Sequence, residues 1–167
     1  MRMCNFIARE AIVPALSVTA PPDRTAAGVL AVKEAVIREM VGALHTAGHL
    51  QAADTDGVVQ AVLRREAVGT TGIGRHIAIP HSRHAAVHNL IGALGIAPAG
   101  LPFDSLDGLD VHVFVLLVSP QDRPGDHLRA LEAVVRAMRN DEFVAKLRAC
   151  PTADRIWELL DSVGPGW

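Results

Sequence analysis

The sequence predicts an α/β protein of mixed (α+β) arrangement, a small mixed β-sheet covered by helices on both faces, in the order β-α-α-β-β-β-α-α-α. Three observations carry this. Residues 111–118 read Val-His-Val-Phe-Val-Leu-Leu-Val, apolar on both faces, so this strand should be central and covered on both sides. Stripes with helical period lie on either side of a block of strands, two before it and three after it, and a sheet between two helical layers is the compact way to bury them all. Closely spaced glycines and prolines cut the middle of the chain into short strands, and neighbours joined by short turns make the sheet mixed.

The chain has 167 residues, half of them apolar, which suits one domain with a sizeable core. Its expected extent is 10–161, with an N-terminal arm or short helix at 1–9 and a C-terminal tail at 162–167. Residues 11–19 have strand character, and Pro14 suits an edge position. A helix should begin near Asp23 or Thr25, bury Leu30, Val32, Val36, Ile37, Met40, Val41 and Leu44, and stop at Gly48. Asp54, Thr55 and Asp56 offer cap oxygens for a second helix with Val58, Val59, Ala61, Val62 and Leu63 on its apolar face. His45 and His49 have a metal-compatible spacing, but Gly48 between them favours ordinary histidines near a helix C-terminus. The apolar stripes at 30–44 and 128–138 are read as core rather than as a partner face.

Next comes Thr70-Thr71-Gly72-Ile73-Gly74-Arg75-His76-Ile77-Ala78-Ile79-Pro80-His81. Gly72 and Gly74 allow a close approach of backbone or anion. Residues 76–79 read as a short strand that Pro80 should end, with 82–84 as loop. Residues 89–97 form a further strand, broken by Pro98 to Pro102, and 103–108 are turn-rich. After the central strand, a long helix should carry Leu128, Leu131, Val134, Val135 and Met138. Two shorter helices follow Asn140 and Pro151-Thr152, with Phe143, Val144 and Leu147 on one and Ile156, Trp157, Leu159 and Leu160 on the other.

The charge balance excludes some functions. Charged residues are 20 % of the chain, interspersed, with a net charge of −2, so there is no concentrated basic face for nucleic acid. Tyrosine is absent and only four Phe and two Trp are present, too few for base-stacking platforms. Residues 85–103 lack Asp, Glu, Lys and Arg, but their glycines and prolines read as strand and loop, so no membrane insertion is expected. Cys4 and Cys150 have neither metal nor disulfide spacing, which points to free thiols and the cytoplasm.

Eight histidines are present and the commonest enzyme motifs are not. The glycine turn lacks the third glycine of a dinucleotide fingerprint, and no P-loop, nucleophile elbow or His-Glu-x-x-His helix occurs. His81, at a strand end, is open to three readings: nucleophile, metal ligand or bystander. With His84 and His88 it forms a His-x2-His-x3-His pattern that a metal-dependent hydrolase could use, though the three need not converge. His127 opens the long helix, where a histidine is biased toward neutrality and can still donate one N–H. Arg65 could add a fixed positive charge. Together His81, His127 and Arg65 suit a phosphorylated histidine and phosphoryl transfer. His112 reads as a strand-end histidine, and His76 faces either solvent or the site.

The run from Arg65 to Gly74 followed by Ile77-Ala78-Ile79-Pro80-His81 resembles the enzyme IIA domain of the fructose/mannitol (type 2) class of the bacterial phosphotransferase system. The closest likeness is to its stand-alone nitrogen-regulatory branch. The resemblance continues through Ile91-Gly92-Ala93, Phe103-Asp104-x-Leu106-Asp107-Gly108, the strand from Val113 to Pro120, and Asp126-His127-Leu128, covering residues 10–161. It implies that His81 is the phosphorylated histidine, His127 the second active-site histidine and Arg65 the family's arginine. Gly72, Gly74 and Ser82 are the expected phosphate contacts, and no metal or cofactor is expected. The implied donor is the phosphorylated histidine phosphocarrier protein. The implied acceptor is a IIB domain of a sugar transporter, or else regulatory proteins read the phosphorylation state. A regulatory module that transfers little phosphate is the alternative within the same fold. The chain departs from the family at Arg75-His76, where small or polar residues are usual, and in the basic Ser82-Arg83-His84 stretch. Without an attached IIB or IIC domain, a free-standing carrier or regulator is expected.

Overall fold

The computed structural model of the protein describes residues 1–163. A 3-10 turn, Met3–Asn5, leads into β1 (Ile7–Val13). Then come α1 (Ala26–Thr46), α2 (Ala52–Val68), β2 (Gly72–Gly74), β3 (Ile77–Ala78), β4 (His81–Arg83), β5 (Ile91–Leu101) and β6 (Val111–Ser119). Three helices close the chain: α3 (Pro124–Met138), α4 (Asp141–Ala149) and α5 (Ala153–Ser162). The strands form one mixed sheet in the order β1-β5-β6-β3-β2, with β4 also on β6. β1 runs parallel to β5, β5 antiparallel to β6, and β3 and β4 both parallel to β6. The expected α/β class and two-faced covering are present. Among the described residues no helix is long and apolar enough to cross a membrane.

β6 is the axis of the core. From Val113 to Val118 every side chain is buried and successive residues serve opposite layers. Phe114, Leu116 and Val118 pack with Val36, Met40, Leu44 and Val62 of α1 and α2. Val113, Val115 and Leu117 pack with Val134, Met138, Phe143, Leu147, Ile156 and Leu160 of α3 to α5. The helix ends follow local chemistry. The Thr25 side chain accepts from Gly28 N–H, Asn140 from Phe143 N–H and Thr152 from Arg155 N–H. Gly48, at φ 87°, takes the left-handed position after α1.

Several sequence expectations are corrected. The first strand lies earlier than 11–19, at Ile7–Val13, because Phe6 O and residues 7–13 find partners along β5 and Pro14 lies beyond the end of β1. Residues expected as an arm therefore supply Met3, Phe6 and Ile7 to the core. The expected tail is divided: α5 includes Ser162 and Val163 is buried, while 164–167 lie outside the described residues. Leu30 and Leu128 are exposed, and Val29 takes the core position expected of Leu30. α2 begins at Ala52, with Asp54 in its first turn rather than at the cap. Pro80 does not end the pairing. Its carbonyl accepts from Leu117 N–H and β4 resumes on β6 at His81, since proline removes only a donor. β5 likewise runs through Pro98 to Leu101, where its register on β6 shifts between Ile96 and Leu101, as a bulge permits. His76 is a turn residue. Arg75 and His76, at φ 57° and 70°, connect β2 and β3 in the left-handed region.

Candidate functional site

Parallel strands β4 and β6 bring their C-terminal ends to one edge of the sheet, where ligands of α/β folds commonly bind. β4 begins with His81, opposite Leu117, so the register of a three-residue strand fixes where this histidine stands. Five residues beyond the end of β6, α3 starts at Pro124 and presents His127 from its first turn. The last turn of α2 carries Arg65, a position that complements the helix dipole. These elements enclose a cleft of about 410 Å³ lined by Arg65, His81, Ser82, Arg83, Pro124, His127, Leu128 and Leu131.

His81 is held by the backbone two residues before it. Its Nδ1 is 2.7 Å from Ile79 O. A carbonyl only accepts, so Nδ1 carries the proton and Nε2 keeps its lone pair. Burial pushes the His81 pKa below the ordinary histidine value. The bond to Ile79 opposes this, the Arg65 charge reinforces it, and Glu66 opposes it in turn. The imidazole is therefore neutral near pH 7, with the Nε2 lone pair available. His127 lies beside it, ring centroids 5.3 Å apart at 55°. Burial first, then the charges of His81 and Arg83, pull the His127 pKa down to about 4, so it too is neutral. Arg65 donates one N–H to Gly69 O at 2.8 Å, which orients the guanidinium and leaves other donors of its five for an anion.

The peptide before β4 is tied down from beneath. Ile79 N–H donates to Thr71 O at 3.0 Å. Thr71 N–H and Oγ1–H both donate to the Glu66 carboxylate, the hydroxyl at 2.5 Å. Lys33 Nζ, inside α1, is 3.1 Å from Glu66 Oε1 and 3.2 Å from Asp104 Oδ2. Glu66 is 4 % and Lys33 7 % exposed, so this is a buried ion pair whose remaining lone pairs are satisfied by Thr71. Sequence reasoning missed it, although Lys33 falls in helical register with Val29, Val36, Met40 and Leu44.

The structure thus gathers His81, His127, Arg65 and Ser82 around one cleft and leaves other expected participants outside it. Gly72 and Gly74 pack against the 103–108 loop. A Cβ on Gly72 would meet Ser105 Cα at 2.9 Å, and one on Gly74 would meet Asp107 Oδ2 at 3.1 Å. Their smallness accommodates protein, and they do not line the cleft. His84 Nδ1 accepts from Ala86 N–H at 3.0 Å and His88 is exposed in a separate depression. Among the described residues no group of three or more His, Cys, Asp or Glu could hold a metal ion, so the His81-His84-His88 pattern does not converge. His76 and His112 pair edge-to-face at 5.2 Å toward the opposite end of β6, each bonding a carbonyl, Asp110 O and Ala97 O respectively. His45 Nδ1 bonds Leu50 O, as an ordinary helix-end histidine does.

Comparison with known proteins identifies the family. Residues 28–163 match the family model for the phosphoenolpyruvate-dependent sugar phosphotransferase system, EIIA 2. A nitrogen regulatory protein of Bradyrhizobium diazoefficiens is 30 % identical over 160 residues, 96 % of this chain and 95 % of that one. The crystal structure of the nitrogen regulatory protein IIA-Ntr from Neisseria meningitidis superposes with a TM-score of 0.77 at 25 % identity, covering 95 % of this chain and 98 % of that one. The fold is also that of enzyme IIA mannitol of Escherichia coli, solved in complex with phosphorylated enzyme IIB mannitol. That likeness has a TM-score of 0.70 at 19 % identity over 92 % of this chain and 96 % of that one. On the family match, which spans most of the chain and contains His81, His127 and Arg65, the protein belongs to the type 2 enzyme IIA family of the phosphotransferase system.

Proposed function

We propose that the protein is a phosphohistidine carrier in which His81 Nε2 takes a phosphoryl group from the phosphorylated histidine phosphocarrier protein. The observation that carries this reading is the bond from His81 Nδ1–H to Ile79 O, which leaves Nε2 with a free lone pair in a cleft shared with His127 and Arg65. As Nε2 forms its bond to phosphorus, the phosphorus–nitrogen bond of the donor breaks and the electron pair returns to the donor imidazole. No base is needed, because no proton leaves His81. The charge gained by the ring is shared with the Ile79 carbonyl through Nδ1–H. The transferred group is dianionic, and the guanidinium of Arg65 and an N–H of neutral His127 receive its oxygens. Such positioning and charge stabilisation are most of what phosphoryl transfer asks of a protein. Transfer onward reverses these steps toward a IIB domain, in keeping with the partner of the mannitol relative. Free Cys4 and Cys150 suit the cytoplasm. The end-to-end likeness to a nitrogen regulatory protein favours a second reading, in which regulatory proteins sense the phosphorylation state.

The test is incubation with phosphoenolpyruvate, enzyme I and the histidine phosphocarrier. The expected result is an acid-labile phosphate on this protein, bonded to Nε2 by 15N–31P coupling and lost in His81→Ala. An unlabelled wild-type protein would overturn the proposal. Rapid loss of the label to a cognate IIB domain marks a carrier. Retention, with a regulatory protein captured in a phosphorylation-dependent way, marks a regulator.

A further inference from the structure

Ser119, the last residue of β6, is fully buried. Its Oγ lies 2.5 Å from His127 Nδ1. Among the described residues that nitrogen is the only hydrogen-bond partner of the hydroxyl. Two proton arrangements fit the contact. If Nδ1–H donated to Oγ, the serine proton would be stranded in the interior with no acceptor, an arrangement that buried polar groups avoid. If the hydroxyl donates to Nδ1, every group is satisfied and the imidazole proton must sit on Nε2.

We infer that Ser119 is a positioning residue that locks His127 in the Nε2–H tautomer. His81 is locked the opposite way, by Ile79 O on Nδ1. The two rings, 5.3 Å apart, therefore differ in the atoms left free: a lone pair on His81 Nε2 and a proton on His127 Nε2. The first can bond phosphorus and the second can donate to a phosphoryl oxygen. The reversed tautomer of His127 would set a lone pair against that oxygen and repel it. Burial holds His127 neutral in the free protein, so its tautomer sets which atom of the ring first meets the incoming group. This role rests on the phosphohistidine reading of His81, whereas the hydrogen bond itself does not. The main chain at Ser119 is held independently, through its register with Arg83 and its carbonyl, which accepts from His84 N–H at 3.0 Å. Removal of the hydroxyl therefore leaves β6 and β4 paired.

The experiment uses the full chain with 15N-labelled histidine at pH 7. Long-range 1H–15N correlations should show His127 protonated on Nε2 with Nδ1 unprotonated in the wild type, and a mixture of tautomers in Ser119→Ala. Phosphoryl transfer through His81 should slow about 10-fold in Ser119→Ala, as is typical when a group that orients an imidazole is lost. The same substitution should have no further effect in a His127→Ala background. A wild-type His127 protonated on Nδ1 would overturn the inference. So would equal slowing by Ser119→Ala with and without His127, which would mark a purely structural effect. If His81 takes no phosphate from the donor in the wild type, the phosphohistidine reading fails, and the tautomer spectrum still decides for or against the Ser119 bond.

Discussion

The Lys33–Glu66 pair supports the peptide that holds His81, and its removal is a direct test of how the site is built. Lys33→Met keeps the aliphatic stem and deletes the ammonium. Glu66, whose side chain is 3 % exposed, then keeps only the two Thr71 donors. An uncompensated buried charge costs about 3 kcal/mol, a large part of the 5–15 kcal/mol typical of a whole domain. Glu66→Gln leaves Lys33 facing Asp104 alone, and Asp104 is 64 % exposed. The cost should be about 2 kcal/mol, since water screens the surviving pair. In the double variant no buried charge is stranded, and the Gln carbonyl can still accept from Thr71. Its cost should be about 1–2 kcal/mol, so that roughly 3–4 kcal/mol of the summed single losses disappears. Urea unfolding with a shared slope measures all three. Additivity within about 0.5 kcal/mol would refute the reasoning, because it would mean the two charges do not meet in a dry environment.

Gly72→Ala should destabilise by about 2 kcal/mol, because its methyl group would stand 2.9 Å from the Ser105 backbone. The folded fraction should still take label on His81, and normal stability with lost labelling would return Gly72 to the phosphate site. Arg75→Asn should stabilise by about 0.5 kcal/mol. Asparagine tolerates the left-handed φ of 57° better, and the Arg75 bonds it removes, to Asp141 and to Arg139 O, are exposed and worth little. A thermal midpoint lowered by the change would refute this. His127 makes folding pH-dependent. The unfolded residue binds a proton near 6.5 and the folded one only near 4, so stability is full above about pH 6.5 and declines as pH falls toward 4. Allowing for solvent screening of a half-buried ring, the decline is about 1–2 kcal/mol. His127→Asn should lose that much less stability between pH 7 and pH 4 by urea unfolding, and identical losses would show that the depression is absent.

The parts of this fold legible in the sequence are those whose own residues decide them. α1, β6 and the three C-terminal helices each carry enough apolar residues in one period to bury themselves, and their caps at Thr25, Asn140 and Thr152 are local chemistry. β2, β3 and β4 are two or three residues long and exist because β6 and one another offer partners, which no local pattern announces. The same distinction runs through the site. His81, His127 and Arg65 could be found from the motif that contains them and from their places at the ends of a strand and two helices. Ser119 and Lys33 act through neighbours distant in sequence, yet each left a trace. A hydroxyl closes the apolar run from Val113 to Val118 of the central strand, and a lysine occupies the buried register of α1. Gly72 and Gly74 mark the reverse case. A glycine reports that something comes close without saying what, and here the neighbours are Ser105 and Asp107. A polar side chain in an apolar register is the more informative signal, because burial obliges it to have a partner, and the partners of Lys33 and Ser119, Glu66 and His127, belong to the peptide beneath His81 or to the cleft that His81 lines.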